Sequence, residues 1–147
     1  MKVKVKKLNE KAVIPFKKHE SDFCYDLVAT SVKHDGYVWE YGTGLAFQID
    51  RNDYEQDPDV ILDIDIRPRS SIKSTGFVLV NSEGTIDESY IGEVKVCFYK
   101  VAGGEPYKVG DRIAQIKLGK TCPIQFKEVE ELNDTDRGNG GFGSTGK

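Results

Sequence analysis

Arginines, hydroxyls and a glycine-rich tail supply this sequence with residues that suit phosphate binding. Residues 67–71, RPRSS, combine two guanidinium groups with two serines after a β-rich run. The tail at 137–147, RGNGGFGSTGK, adds a third arginine, the hydroxyls of Ser144 and Thr145, and the flat ring of Phe142. Arginine binds phosphate oxygens through parallel N–H groups, and an aromatic ring stacks on a base. Together these parts suit a nucleotide.

A second segment places a carboxylate and a ring between turn residues. Residues 81–92, NSEGTIDESYIG, contain Asp87 and Tyr90 between Gly84 and Gly92. Glycine lets a backbone approach a flat ring closely, since it has no Cβ. We interpret the segment as a hairpin that presents a pocket.

Composition limits the ligands that these residues could serve. The chain has 147 residues, enough for one domain, and a net charge of -3. A protein that neutralises many phosphates of duplex DNA is usually basic, so we expect a small ligand and no nucleic acid. No run approaches the roughly 18 apolar residues of a membrane span, and we expect neither a membrane protein nor a secreted one.

The cysteines and histidines offer little for metal binding. Cys24, Cys97 and Cys122 are far apart, with no C-x-x-C pair, which favours a reducing cytoplasm over a disulfide framework. His19 and His34 are the only histidines. Any metal ion would therefore be held by oxygen.

The pattern of apolar residues predicts an all-β fold. Short runs alternate at period two or are rich in β-formers, and Gly, Asn, Pro and Asp separate them. An antiparallel sandwich or barrel is the expected architecture. The expected strands surround Val3 and Val5; Tyr37, Trp39 and Tyr41; Leu45, Phe47 and Ile49; Ile64 and Ile66; and residues 77–80, 94–99, 113–118 and 124–129.

Two segments depart from this pattern. Residues 50–59 form an acidic insertion without the aspartate spacing of a calcium loop, and we assign it no role. Residues 137–147 contain five glycines before the final lysine, so this tail either stays flexible or becomes ordered on a ligand. We therefore divide the chain into a β domain at 1–136 and a flexible tail at 137–147.

The order of these motifs resembles the trimeric deoxyuridine triphosphatase (dUTPase) family. All five family motifs are present in the family's order across nearly the whole chain. The resemblance implies a single-domain, jelly-roll-like β barrel of the β-clip type. The motifs lie at 23–27 (FCYDL), 67–71 (RPRSS), 81–93, 110–115 (GDRIAQ) and 137–146 (RGNGGFGSTG).

The resemblance also implies a reaction and a set of residues. Asp87 would be the general base for water attack on the α-phosphorus of dUTP, with dUMP and pyrophosphate as products. Mg²⁺ would be the cofactor, held by Asp26 through water, and Tyr90 would exclude a 2′-hydroxyl. The expected substrate-binding residues are Arg69, Ser70, Ser71, Asn81, Gly84, Thr85, Ile86, Tyr90, Lys95, Gln115, Arg137, Phe142, Gly143, Ser144 and Thr145.

Family likeness further implies a homotrimer whose three active sites lie between subunits, acting in the cytoplasm on a small-molecule substrate. The sequence departs from the family pattern at Cys24 and Ser71, where glycine is common, and at Ser89, where a second acidic residue is frequent. Two alternatives remain open. One is a dUTPase-like regulator that binds a partner. The other is a dCTP deaminase of the same fold, although Cys97 stands where that enzyme uses a glutamate.

Overall fold

The computed structural model describes residues 2–53 and 60–141, which form three antiparallel sheets. Sheet I contains β1 and β5, sheet II has the order β2-β10-β6-β8, and sheet III has the order β3-β4-β9-β7. The predicted all-β, antiparallel fold is confirmed. Among the described residues, no helix has the length and apolar character needed to cross a membrane. The strands are β1 (Lys2–Lys7), β2 (Tyr25–Val28), β3 (Ser31–His34), β4 (Val38–Gly42), β5 (Leu45–Asp50), β6 (Ile61–Pro68), β7 (Phe77–Leu79), β8 (Gly84–Asp87), β9 (Lys95–Lys100) and β10 (Arg112–Thr121).

Alternating apolar residues on β6 and β10 form much of the core of sheet II. Leu62, Ile64 and Ile66 point inward from β6, and Ile116 is buried on β10. Successive side chains of a strand point to opposite faces, so the intervening residues form a second, polar face. Each such buried side chain contributes about 1.5–3 kcal/mol relative to an exposed one.

Aromatic rings fill the core beside sheet III. The ring centroids of Phe77 and Phe98 are 5.2 Å apart, and Tyr41 meets Phe98 edge-on at 5.8 Å. The hydroxyl of Tyr41 donates a hydrogen bond to the carbonyl oxygen of Tyr107 at 2.9 Å. Burial, with smaller effects of Asp111 and Tyr107, raises the pKa of Tyr41 to about 12, so this hydroxyl keeps its proton and its hydrogen bond even at alkaline pH where an exposed tyrosine ionises.

Strand β10 brings distant segments of the chain together. It pairs with β2 on one side and with β6 on the other, so that Gln115 lies opposite both Asp26 and Arg67. A register shift between Arg112 and Ala114 interrupts its pairing with β2. The motifs around residues 26, 67 and 115 are therefore adjacent in space.

Residues 124–129 do not form the predicted strand. The segment has no regular secondary structure, and Phe126 is 92% exposed. Apolar alternation predicts a strand only where a sheet edge is available for pairing, and no described strand of this chain pairs with the segment. The prediction for 124–129 is therefore wrong for the single chain.

The segment at 81–92 is also not a paired hairpin. Its one strand, β8, pairs with β6 of sheet II, and the chain then turns and enters β9 of sheet III. The turn is closed by the Tyr90 N–H, which donates to the Asp87 carbonyl oxygen at 3.0 Å. The segment is thus a crossover between two sheets.

The outer face of sheet II carries a group of charged residues. The ammonium of Lys117 pairs with Asp65, and Asp63 lies directly opposite Asp87 in the β6–β8 register. One carboxyl oxygen of Asp63 is buried and has no hydrogen-bond partner among residues 2–53 and 60–141. Burial, and next the charge of Asp65, raise the pKa of Asp63.

A raised pKa in the folded state means that folding favours the protonated form of Asp63. The stability that this group contributes is present below its ordinary pKa and is lost as the pH rises through the raised value. We expect Asp63→Asn to stabilise the protein at pH 7 by about 1 kcal/mol, which raises Tm by about 2–4 °C. Melting curves measured from pH 7 to pH 4 should show this gain shrink in acid. The exposed Asp134→Asn is the control, and a lower Tm of Asp63→Asn at pH 7 would contradict the prediction.

Candidate active site

A polar cleft of about 570 Å³ lies where β2, β10 and the turn after β6 meet. Residues from three of the five sequence motifs reach it, together with a basic loop that precedes β2. The residues that line the cleft are Lys17, Lys18, His19, Asp22, Phe23, Cys24, Asp26, Arg69, Ser70, Arg112 and Gln115.

Asp26 and two arginines form the centre of the cleft. The carboxylate of Asp26 accepts from Arg69 Nε at 2.6 Å and from Arg112 Nη1 at 3.0 Å. Its side chain is only 12% exposed, so both guanidinium groups are held in fixed directions. Two positive groups around one carboxylate leave an excess of positive charge, which suits an anionic ligand.

Neighbouring polar groups fix the rest of the cleft. The amide of Gln115 donates to the Pro68 carbonyl oxygen at 2.9 Å, and Arg69 Nη1 donates to the Ser71 hydroxyl at 3.3 Å. The Ser71 side chain, which a glycine would lack, thus contacts Arg69. Ser70 begins the short 3-10 turn Ser70–Ser74 and lines the cleft.

The residues around Asp87 form a separate group at the other end of β6. Asp87 is exposed and, within the described part of the chain, has no side-chain hydrogen bond or ion pair. Beside it, the Tyr90 hydroxyl donates to the Glu93 carbonyl oxygen at 3.1 Å, and the Tyr90 ring lies against Gly92. Asp87 and Tyr90 border a shallow depression with Phe47, Ile49, Ile64, Ile86 and Glu88.

The start of this segment is held tightly to β6. Gly84 is buried, and a Cβ there would lie 3.2 Å from both Asn81 Nδ2 and Ile66 Cβ. The neighbouring Thr85 hydroxyl is 3.5 Å from an Asp65 carboxylate oxygen. Asn81, Gly84, Thr85, Ile86 and Asp87 therefore lie together along the edge of β6.

The two groups are too far apart within one chain to act on one phosphoryl group. Asp87 lies opposite Asp63, whereas Arg69 follows the end of β6. At about 3.3 Å per residue, the six residues from Asp63 to Arg69 span about 20 Å. Reacting atoms must approach to about 3–3.5 Å, so the single chain holds two halves of the expected site.

The other predicted residues lie outside both groups. Lys95, on β9 of sheet III, pairs with Glu40 at 2.9 Å, and this contact raises the pKa of its ammonium. Arg137 Nε donates to the Gly140 carbonyl oxygen at 2.9 Å. Phe142, Gly143, Ser144 and Thr145 lie beyond the residues that the structure describes.

A sequence model of the dUTPase family matches residues 58–146. The deoxyuridine 5′-triphosphate nucleotidohydrolase of Nautilia profundicola is 40% identical over 152 residues, and the match covers 100% of both chains. The chain belongs to the dUTPase family. The nucleotidohydrolase of Corynebacterium glutamicum is 37% identical, over 99% of this chain and 95% of that protein.

Solved dUTPases share the fold. A variant of the Staphylococcus bacteriophage 80alpha dUTPase, with dUpNHpp, gives a TM-score of 0.77 at 21% identity and covers 99% of each chain. The dUTPase of S. aureus phage phi11, which has a species-specific insert, gives a TM-score of 0.67 at 19% identity, over 92% of this chain and 100% of that one. At such identities the likeness shows the fold alone.

Several cleft residues of this dUTPase family member were not assigned a role from the sequence. Arg112 stands within the fourth motif, and only the structure shows that it shares Asp26 with Arg69. Lys17 and Lys18 lie in a basic loop outside the motifs, where the Lys17 ammonium lies 5.1 Å from the centre of the Tyr25 ring. The sequence signal was the run of three basic residues, Lys17, Lys18 and His19. Nothing in the sequence placed this run beside the cleft.

Proposed function

We propose that this protein hydrolyses dUTP to dUMP and pyrophosphate in the cytoplasm, which removes dUTP and supplies dUMP for thymidylate synthesis. The observation that carries the proposal is the convergence of Asp26, Arg69 and Gln115, from three separate family motifs, on one positively charged cleft. Membership in the dUTPase family supports the same substrate.

The cleft is assigned to the triphosphate. Arg69 is already oriented by Asp26, so a phosphate oxygen meets a preorganised guanidinium fork. The hydroxyl of Ser70 and the amide of Gln115 add neutral donors on either side. In the assembled site, Arg137, Ser144 and Thr145 of the tail complete the phosphate contacts.

Asp26 is also assigned to Mg²⁺, through water, because both of its oxygens already accept from arginines. Among residues 2–53 and 60–141, no group of three His, Cys, Asp or Glu side chains could hold a metal ion. A single hard carboxylate suits an ion that keeps its waters and binds mainly to substrate phosphates. When bound, Mg²⁺ supplies neutralisation of the charge on the triphosphate.

Asp87 is assigned as the general base. Its carboxylate has no partner in the described chain and is exposed at the end of β8, so it is available to accept a proton from water. The proton moves from the attacking water to Asp87 while the oxygen attacks the α-phosphorus and pyrophosphate leaves. The Tyr90 ring packs under the deoxyribose and leaves no room for a 2′-hydroxyl.

The backbone of 84–86, with Asn81, is assigned to the uracil edge, and Phe142 to the opposite face of the ring. A site built to pair with uracil leaves buried polar groups unpaired when cytosine enters, which is worth roughly ten-thousandfold in discrimination. Closure of the tail then keeps bulk water away from the reaction.

A homotrimer with shared sites is proposed because the two halves of the site lie about 20 Å apart in one chain. The exposed apolar side chains support association with other copies. Ile124, Phe126 and Leu132 are 69%, 92% and 87% exposed, and an apolar groove of about 400 Å³ lies between β1 and β10. Exposed apolar surface of this extent is typical of a protein interface.

The test of this function is pyrophosphate release from dUTP, with dCTP, dTTP and UTP in parallel, first in Mg²⁺ and then in EDTA. We expect turnover of dUTP alone and its loss in EDTA. Release of ammonia from dCTP would indicate a deaminase instead. Binding of dUTP without turnover would favour a regulatory protein.

A further inference from the structure

A bidentate ion pair fastens the acidic insertion to the residue next to Asp87. Arg51 Nε lies 2.5 Å from Glu88 Oε1, and Arg51 Nη2 lies 2.5 Å from Glu88 Oε2. The same Nη2 group donates to the Val60 carbonyl oxygen at 3.3 Å. Paired N–H···O contacts fix the relative direction of both planes, which a single contact does not.

The pair joins three separate parts of the backbone. Arg51 begins the 3-10 turn that follows β5, Val60 immediately precedes β6, and Glu88 immediately follows β8. Both ends of the insertion are therefore tied to the turn that follows Asp87. No motif predicted this contact, since Arg51 and Glu88 are 37 residues apart.

The ionised form of Glu88 is stabilised by its neighbours. The hydrogen bonds from Arg51 are the main cause of a lowered pKa for Glu88, and the charge of Arg51 and the Leu62 backbone amide act in the same direction. The two side chains are 42% and 25% exposed, so the pair adds little to stability by Coulomb attraction alone. Its main effect is on position.

The direction of the Asp87 carboxylate depends on contacts made by neighbouring residues. Because its carboxylate has no partner in the described chain, its direction is set by the backbone at 87–88. Pairing with β6 fixes the residue on one side. On the other side the Tyr90 N–H closes a turn on the Asp87 carbonyl oxygen, and Glu88, inside this turn, ties it to Arg51.

We propose that Arg51 is a positioning residue of the active site, which acts through Glu88 to hold the Asp87 backbone in the direction needed for proton transfer. The inference rests on the proposed role of Asp87. It gives the arginine at the base of the insertion a function in catalysis, although Arg51 touches neither substrate nor metal.

The test is a double-mutant cycle of Arg51→Ala and Glu88→Ala, measured as kcat and KM for dUTP. A misplacement near 1 Å lowers the rate by up to about a hundredfold, so we expect each single variant to lose about 10- to 100-fold in kcat with KM changed less than about threefold. The double variant should be no slower than either single variant, because both remove one interaction. Arg51→Lys should recover only part of the loss, since an ammonium cannot form the fork.

Two controls separate positioning from folding. Lys4→Ala removes the 3.3 Å ion pair with Asp50, the residue before Arg51, and should leave kcat and KM unchanged. ¹⁵N relaxation of the Asp87, Glu88 and Tyr90 amides should show lower order parameters in Arg51→Ala and normal values elsewhere.

Wild-type kcat in Arg51→Ala, or additive losses in the double variant, would overturn the positioning role while dUTP hydrolysis by the wild type stands. Unchanged amide order parameters in Arg51→Ala would overturn it too. A wild-type protein inert towards dUTP would overturn the proposed function, and the inference with it.

Discussion

Asp87→Asn is expected to lower kcat for dUTP by about a hundredfold to ten-thousandfold, the usual cost of removing a general base. Asparagine has nearly the same shape but cannot take a proton from water. Asp87 is exposed and carries no structural contact of its side chain in the described chain, so the fold should persist. Pyrophosphate release measures the loss, and binding of dUTP by calorimetry should be largely retained.

A closely matched control stands across the strand pair. Asp63 faces Asp87 in the β6–β8 register, and directly opposite residues share one face of the sheet. Asp63→Asn makes the same chemical change on the same face. We expect it to keep wild-type kcat, because Asp63 has no assigned role in the reaction. The assignment fails if Asp63→Asn is the inactive variant and Asp87→Asn turns over dUTP normally.

Mixing two inactive variants is expected to restore activity. Arg69→Ala should be inactive because the phosphate cleft loses its oriented guanidinium, and Asp87→Asn because the base is lost. If Asp87 and Arg69 of one site come from different subunits of a trimer, random mixing leaves about a quarter of the sites with both native residues. Co-refolding of the two variants and measurement of pyrophosphate release test this.

The control is the double variant Asp87→Asn, Arg69→Ala mixed with either single variant, which should stay inactive because every site lacks one of the residues. Recovered mass should correspond to a trimer in each mixture. A trimeric mixture of the two single variants that stays inactive would place both residues of each site in one chain and refute the shared site.

Much of the scaffold could be predicted from local pattern. Leu45, Phe47 and Ile49 alternate as a half-buried strand requires, and they lie on β5. The same pattern was misleading at 124–129. Alternation indicates that apolar side chains lie on one face, but it does not show which surface packs against that face. Tyr37 is also outside β4, because the Asp35 carboxylate accepts its N–H at 2.9 Å and forms a turn there.

Residue types indicated phosphate binding at 67–71 and 137–147, and the family resemblance implied the roles of Gln115 and Asp87. Their placement depends on strand register, which joins residues far apart in the chain and is not written in any one segment. The contacts of Asp26 with Arg69 and Arg112 span 43 and 86 residues, and neither follows from motif spacing.

The double pairing of β10 has a consequence for how firmly each half of the site is held. From Ala114 to Thr121 the strand is bonded to β6, and β2 covers its first part from the other side. Amide hydrogens in such a central strand exchange with solvent only through large-scale opening, whereas those beside the register shift at Arg112 need only a local fluctuation. Both neighbours together cover Ala114 to Ile116, so the cleft residue Gln115 lies in the part of β10 whose amides we expect to exchange most slowly.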